Sequence, residues 1–199
     1  MKILNLYAGI GGNRKLWGDE HEITAVEINE EIASIYQENF PKDKVVIADA
    51  HQYLLEQYKE FDFIWSSPPC QSHSVCNHFL KGQGIIRYPD MKLYEEIIFL
   101  QTHAKGLYAV ENVKSYYAPL IKPQQAGRHY FWANFTIGPY KDSEPEIGTF
   151  NRQASKQKQN KAKKNQILRN CVHPKLGLHV FECAFRKKQL ILSEQAGED

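Results

Sequence analysis

Short apolar runs that alternate with segments of helical spacing constrain the fold of this chain more than any other feature. Runs at 3–7, 22–27, 44–48, 61–65 and 107–111 have the length of buried strands, and segments 30–40 and 91–105 between them repeat apolar side chains every three or four positions. Strands that alternate with helices imply an α/β fold, a mostly parallel sheet flanked by helices, because parallel neighbours need a crossover between them. The spacing puts Leu16 and Trp17 on a helix after Gly12, Ile32, Ile35 and Tyr36 on the next, and Leu93, Ile97, Ile98 and Leu100 on a later one, each covering a sheet face. The run from Arg128 to Ile137 is aromatic and β-branched and reads as one long or bent strand. Apolar positions Val172, Leu176, Leu178, Val180, Phe181 and Ala184 predict a final helix beginning near Pro174.

The 199 residues suit one domain rather than two. A net charge of +2 does not itself announce a nucleic-acid partner, but Lys156, Lys158, Lys161, Lys163, Lys164 and Arg169 form a strongly basic stretch. No apolar stretch approaches the roughly 20 residues of a membrane helix, and the amino terminus runs straight into a strand without a leader. The expected location is the cytoplasm, with no membrane partner. The four cysteines, Cys70, Cys76, Cys171 and Cys183, fit reduced thiols better than a disulfide framework.

Several run ends carry chemistry. Ser67-Pro68-Pro69-Cys70-Gln71 sets a thiol just past the run 61–65, and in open α/β sheets ligands collect outside the carboxyl ends of strands. Run 3–7 opens into the turn Ala8-Gly9-Ile10-Gly11-Gly12-Asn13-Arg14, in which Arg14 stands where a dinucleotide fingerprint needs glycine. A glycine turn without a pyrophosphate cradle suits S-adenosylmethionine, which brings an adenosine and an amino-acid tail. Glu27 ends its run where a carboxylate can accept from both ribose hydroxyls, and Asp49 can accept from an adenine amino group. Cys70, His73, Cys76 and His78 have spacing that a zinc site could use, but closing four ligands on a metal would silence the thiol. No metal site is expected.

A glycine turn, then Pro-Pro-Cys-Gln, then Glu111-Asn112-Val113, then Asn170-Cys171-Val172-His173-Pro174-Lys175-Leu176-Gly177, in that order, resemble the DNA cytosine-5 methyltransferases from Leu4 to about Phe185. The resemblance implies a Rossmann-like, S-adenosylmethionine-dependent methyltransferase fold. It assigns the cofactor to Tyr7, Ala8, Gly9, Gly11, Gly12, Glu27, Ile28, Asp49, Ala50, Pro69, Asn170 and Val172. Cys70 becomes the nucleophile toward cytosine carbon 6, Glu111 the group that bonds N3 and the amino substituent, and Arg128 the partner of O2 that also steadies the carboxylate. The family's Gln-x-Arg-x-Arg is represented here only by Gln125-Ala126-Gly127-Arg128. Segment 72–90 reads as a lid or a surface connection, and Gln71, Ser74, Lys81, Arg87, Lys161, Lys163 and Lys164 are the expected contacts to DNA. Tyr130, Phe131 and Trp132 are core residues or stacking surface.

The organisation that follows is a catalytic core over 1–137, a short basic target-recognition or linker segment over 138–169, and a helix over 170–199 that completes the core. The substrate is DNA, either duplex with a flipped cytosine or single-stranded, and a partner subunit or self-association would supply target recognition. Two other readings stay open: an RNA cytosine-5 methyltransferase, and a non-catalytic DNA-binding or regulatory subunit that keeps the fold.

Overall fold

The computed structural model describes residues 1–141 and 171–195, with side chains through 185. Strands β1 (Lys2–Leu6), β2 (Glu22–Val26), β3 (Lys44–Val46), β4 (Phe63–Ser66), β5 (Leu107–Val113), β6 (Gln124–Ala126) and β7 (His129–Ala133) form one sheet in the order β3-β2-β1-β4-β5-β7-β6. The pairs from β3 through β5 are parallel, whereas β7 runs antiparallel between β5 and β6. Helices α1 (Glu30–Asn39), α2 (Ala50–Gln57), α3 (Asn77–Gly82), α4 (Lys92–His103) and α5 (Pro174–Gln195) cross over or flank it.

Side-chain alternation along the strands builds a core on each face. Ile3, Phe63, Trp65, Ala109 and Phe131 pack on one side against Trp17 and the α5 residues Leu176, Val180 and Phe181. Their neighbours Leu4, Leu6, Ile64, Val110 and Trp132 pack on the other side against Leu54 of α2 and Leu93, Ile97 and Leu100 of α4. Strand order reverses between β1 and β4, so the chain leaves these neighbours in opposite directions and opens a crevice at their carboxyl ends. The glycine turn and the Pro-Pro-Cys turn are the two loops at that crevice.

Three expectations change. The segment after Gly12 is a single 3-10 turn, Asn13–Leu16, and Leu16 is exposed, as is Ile98 of α4. What replaces a longer helix there is an ion pair: buried Arg14 holds Asp43 through Nε at 3.0 Å and Nη2 at 3.1 Å, and Asp43 also accepts from the Tyr36 hydroxyl at 2.8 Å. The run from Arg128 to Ile137 is not one strand but β7 followed by a turn, and residues before it supply β6 across a hairpin at Gly127. Segment 72–90 is neither a free lid nor a plain connection. The Asp90 N–H bonds Ser72 Oγ at 3.1 Å and closes it, residues 73–75 bond the chain beyond β5, and α3 lies within it.

Candidate active site

Two cavities flank the Pro-Pro-Cys turn. The smaller, about 190 Å³, is lined by Tyr7, Glu27, Ile28, Asp49, Ala50 and Pro69, together with His73, Asp90 and Leu93. Its acidic groups are held by backbone. Glu27 accepts from the Gly9 N–H at 3.0 Å and the Asn29 N–H at 2.9 Å, which fixes the carboxylate across the mouth of the glycine turn. Asp49 caps α2 by accepting from the Gln52 N–H at 3.0 Å, and that bond is the main cause holding its carboxyl below the usual range.

Beneath this cavity lies Glu96, a fully buried carboxylate. It accepts from the Tyr7 hydroxyl at 2.5 Å and the Ser66 hydroxyl at 2.6 Å, and His51 Nδ1 lies 3.1 Å away. One side chain of α4 thereby joins the exits of β1 and β4 to α2. Tyr7 needs such a hold, because its φ of 54° is in the left-handed region that a bulky residue rarely adopts. Burial first, and Glu96 second, push the Tyr7 hydroxyl up, so it remains a donor; the bond to Glu96 raises His51.

The larger cleft, about 1650 Å³, opens on the other side of the turn and contains Cys70, Gln71, Ser74, Arg87, Arg128 and His129. Lys15 and Lys114 also line it, against one acid among the described residues, Asp19, so the cleft attracts anions. Gly11 and Gly12 also line it. A Cβ on Gly11, at φ 80°, would meet Phe40 at 2.2 Å, and one on Gly12 would meet the Val172 carbonyl at 2.6 Å. The closing motif therefore folds back onto the glycine turn through Cys171 and Val172.

Cys70 is half-buried, and burial first, then the Glu111 carboxylate, push its thiol up to about 11. A nearby cation or helix terminus would ionise such a thiol. The surroundings do the opposite, so at neutral pH the resting group is a thiol. Glu111 is buried near the end of β5, and His129 of β7 meets its Oε1 through Nδ1 at 2.6 Å. Asn112 donates to the Pro68 carbonyl at 3.0 Å and ties β5 to the Pro-Pro-Cys turn.

Of the residues assigned from sequence, Ala8 is a core residue that donates its N–H to Val26 and packs with Ala25 and Tyr36; it lines neither cavity. Lys81 is exposed on α3 and likewise lines neither. Arg128 lines the cleft, but the group that bonds the Glu111 carboxylate is its neighbour His129. Phe131 and Trp132 are buried in the two cores and offer no stacking surface. Cys76 is exposed at the start of α3, and Cys183 accepts from the Gly138 N–H at 3.4 Å. Asn170, Lys161, Lys163 and Lys164 lie outside the described residues.

Sequence reasoning missed Glu96, the Arg14–Asp43 pair and His129. Glu96 left a signal, a charge set among the apolar positions Leu93, Ile97 and Leu100 of one helix face. The other two left none, since each partner is polar and distant in sequence.

The C-5 cytosine-specific DNA methylase family model matches residues 1–119. Type II methyltransferase M.Bsp6I of Bacillus sp. is 30% identical over 118 residues, 58% of this chain and 36% of the relative. A tRNA (cytosine(38)-C(5))-methyltransferase of Spodoptera frugiperda is 38% identical over 76 residues, 35% of this chain and 23% of the relative. A solved structure of a Spodoptera frugiperda DNMT2 mutant is 30% identical with a TM-score of 0.38, covering 57% of this chain and 35% of its own. The chain spans less than half the length of the curated relatives it matches. No helix among the described residues is long and apolar enough to cross a membrane. With three of the ordered motifs inside the matched region and at the carboxyl ends of a parallel sheet, the chain belongs to the C-5 cytosine-specific DNA methylase family.

Proposed function

We propose that this chain transfers a methyl group from S-adenosylmethionine to carbon 5 of cytosine in DNA, with Cys70 as the transient covalent nucleophile. The observation that carries the reading is the division of the crevice by the Pro68–Gln71 turn into a small cavity with backbone-fixed carboxylates and a large basic cleft holding the thiol. The donor set of the smaller cavity suits a nucleoside. Glu27 accepts from ribose hydroxyls, Asp49 accepts from the adenine amino group, and the buried Nε2 of His73, which among the described residues has no hydrogen-bond partner, lies at its wall. Bound there, the cofactor supplies an electrophilic methyl group on a sulfonium centre.

The chain's own residues do the rest. Cys70, after losing its proton to solvent, forms the Sγ–C6 bond, and a proton that Glu111 takes up from solvent as the base enters passes on to N3, so the ring becomes an enamine with a nucleophilic carbon 5. Arg128 bonds O2. When the proton on carbon 5 has left to solvent and N3 has returned its proton to Glu111, the electron pair re-forms the C5–C6 double bond and the C6–Sγ bond breaks, which returns Cys70 as a thiolate. Lys15, Arg87 and Lys114 meet the phosphates on either side of the base. The target base has to leave a duplex to reach Cys70, or be single-stranded already.

The similarity to the tRNA cytosine-38 enzymes favours RNA as the second substrate to test. Purified protein with labelled S-adenosylmethionine and separate duplex DNA, single-stranded DNA and tRNA arms is expected to label DNA at cytosine carbon 5. Cys70→Ala is expected to bind S-adenosylhomocysteine within about twofold of wild type, well under 1 kcal/mol, and to transfer nothing. Label on tRNA alone, or transfer by Cys70→Ala, rejects the reading.

A further inference from the structure

Among the described residues, one polar contact to the proposed chemistry comes from a residue to which the resemblance gives no role. His129 opens β7, which runs antiparallel beside β5, and this pairing brings its ring over the carboxylate of Glu111 two strand positions away from the direct partner Phe131. The contact, Nδ1 to Oε1 at 2.6 Å, is short for N–H···O and lies between side chains that are 12% and 8% exposed. The ring also stands against Phe131, centroids 6.4 Å apart, which limits its rotation. His129 lines the same cleft as Cys70. Among the described residues, the other carboxyl oxygen of Glu111 takes no hydrogen bond.

We propose that His129 is the positioning residue for Glu111: its Nδ1–H holds Oε1 so that Oε2 is presented to N3 and the amino group of the target cytosine. This rests on the proposed function above. A carboxyl group on a strand has two rotatable bonds toward its oxygens, and without a fixed partner it would sample orientations that miss a flat ring. Holding one oxygen selects the orientation before the base arrives. The same bond strengthens as the reaction proceeds. When Glu111 gives its proton to N3, negative charge appears on the carboxylate, and Nδ1–H already points at it. A donor set in advance toward a developing charge favours the transition state over the ground state. His129 touches no reacting atom and acts only through Glu111.

The test uses the full chain and two readouts. In single-turnover transfer to a cytosine-containing DNA, His129→Ala is expected to lower the rate about 100-fold while the KM for DNA stays within about threefold, the pattern of a lost transition-state interaction. His129→Asn, whose amide can donate near the Nδ1 site, is expected to recover most of that loss. Release of tritium from carbon 5 without cofactor should fall in parallel, because it needs only Cys70 addition and Glu111. Separately, imidazole ¹⁵N NMR should find the His129 Nδ1 protonated and hydrogen-bonded in wild type, and the signal should move in Glu111→Gln. An active wild type that is indifferent to His129→Ala, or a loss confined to KM, or an Asn variant no better than Ala while its thermal stability is unchanged, overturns the inference alone. A wild type that transfers no methyl to any polynucleotide, with the NMR contact intact, removes the functional reading on which it rests.

Discussion

The two cavities beside the Pro68–Gln71 turn are built by different means. In the smaller one, acids are tied to backbone N–H groups, and one buried carboxylate, Glu96, joins three elements under the floor, so the shape exists before any ligand binds. In the larger one, the lining includes exposed side chains such as Phe79, which is 77% exposed on the short helix α3, and basic groups that face open solvent. A small rigid ligand gains from a preformed site, because little ordering free energy is spent on binding. A polynucleotide is recognised first through its charge, for which spread cations are sufficient.

The proposed chemistry sits on the boundary between these regimes, and that makes the reactivity of Cys70 the sharpest probe of it. With the thiol pushed up to about 11 by burial and by Glu111, the ionised fraction at neutral pH is near one part in ten thousand. In a Cys76→Ser background, alkylation of Cys70 by iodoacetamide is therefore expected to quicken about tenfold per pH unit from pH 7 to pH 10. Glu111→Gln should speed it at every pH by removing the negative neighbour. A plateau by pH 8, read by mass spectrometry of the Cys70 peptide, would mean that the cleft ionises the thiol unaided.

A smaller effect is expected on the other side of the turn. Glu27→Ala should weaken binding of S-adenosylhomocysteine by about 2 kcal/mol, roughly 30-fold, through loss of charge-assisted hydrogen bonds, with little change in affinity for DNA. Calorimetry on both ligands checks it, and equal losses for both would erase the distinction between the cavities.

The smallest effect concerns the floor. His51 has its pKa raised in the folded protein, chiefly by the Glu96 bond, so the group binds its proton more readily folded than unfolded. Its stabilisation is fully present below the unfolded value of about 6.5 and is lost as pH rises through the raised folded value. Thermal unfolding of wild type and His51→Gln should converge above that window and separate below it, by about 1 kcal/mol or less because His51 keeps some contact with solvent. Curves that stay parallel across pH would show that Glu96 holds the floor without the charge on His51.

Much of the fold was legible along the chain. Unbroken apolar runs such as Ile3-Leu4 and Phe63-Ile64-Trp65, buried at every position, mark strands covered on both faces, and that pattern is local. The hairpin of β6 and β7 was not legible, because Gln124-Gln125-Ala126 has no strand character of its own and pairs only because β7 lies beside it. Arg14 reads from sequence as a missing glycine; its partner Asp43 is 29 positions away and comes within reach only when α1 packs beside the turn.

By itself the sequence determined that a thiol and acids stand at strand ends, because side-chain type and local periodicity are properties of neighbours in the chain. The tertiary structure alone decided that His129 holds Glu111, that Glu96 binds Tyr7 across 89 positions, and that the turn at Cys70 divides two unlike cavities. The reason is that hydrogen bonds and cavity walls depend on which strands become neighbours, and strand order is set by the packing of the whole sheet.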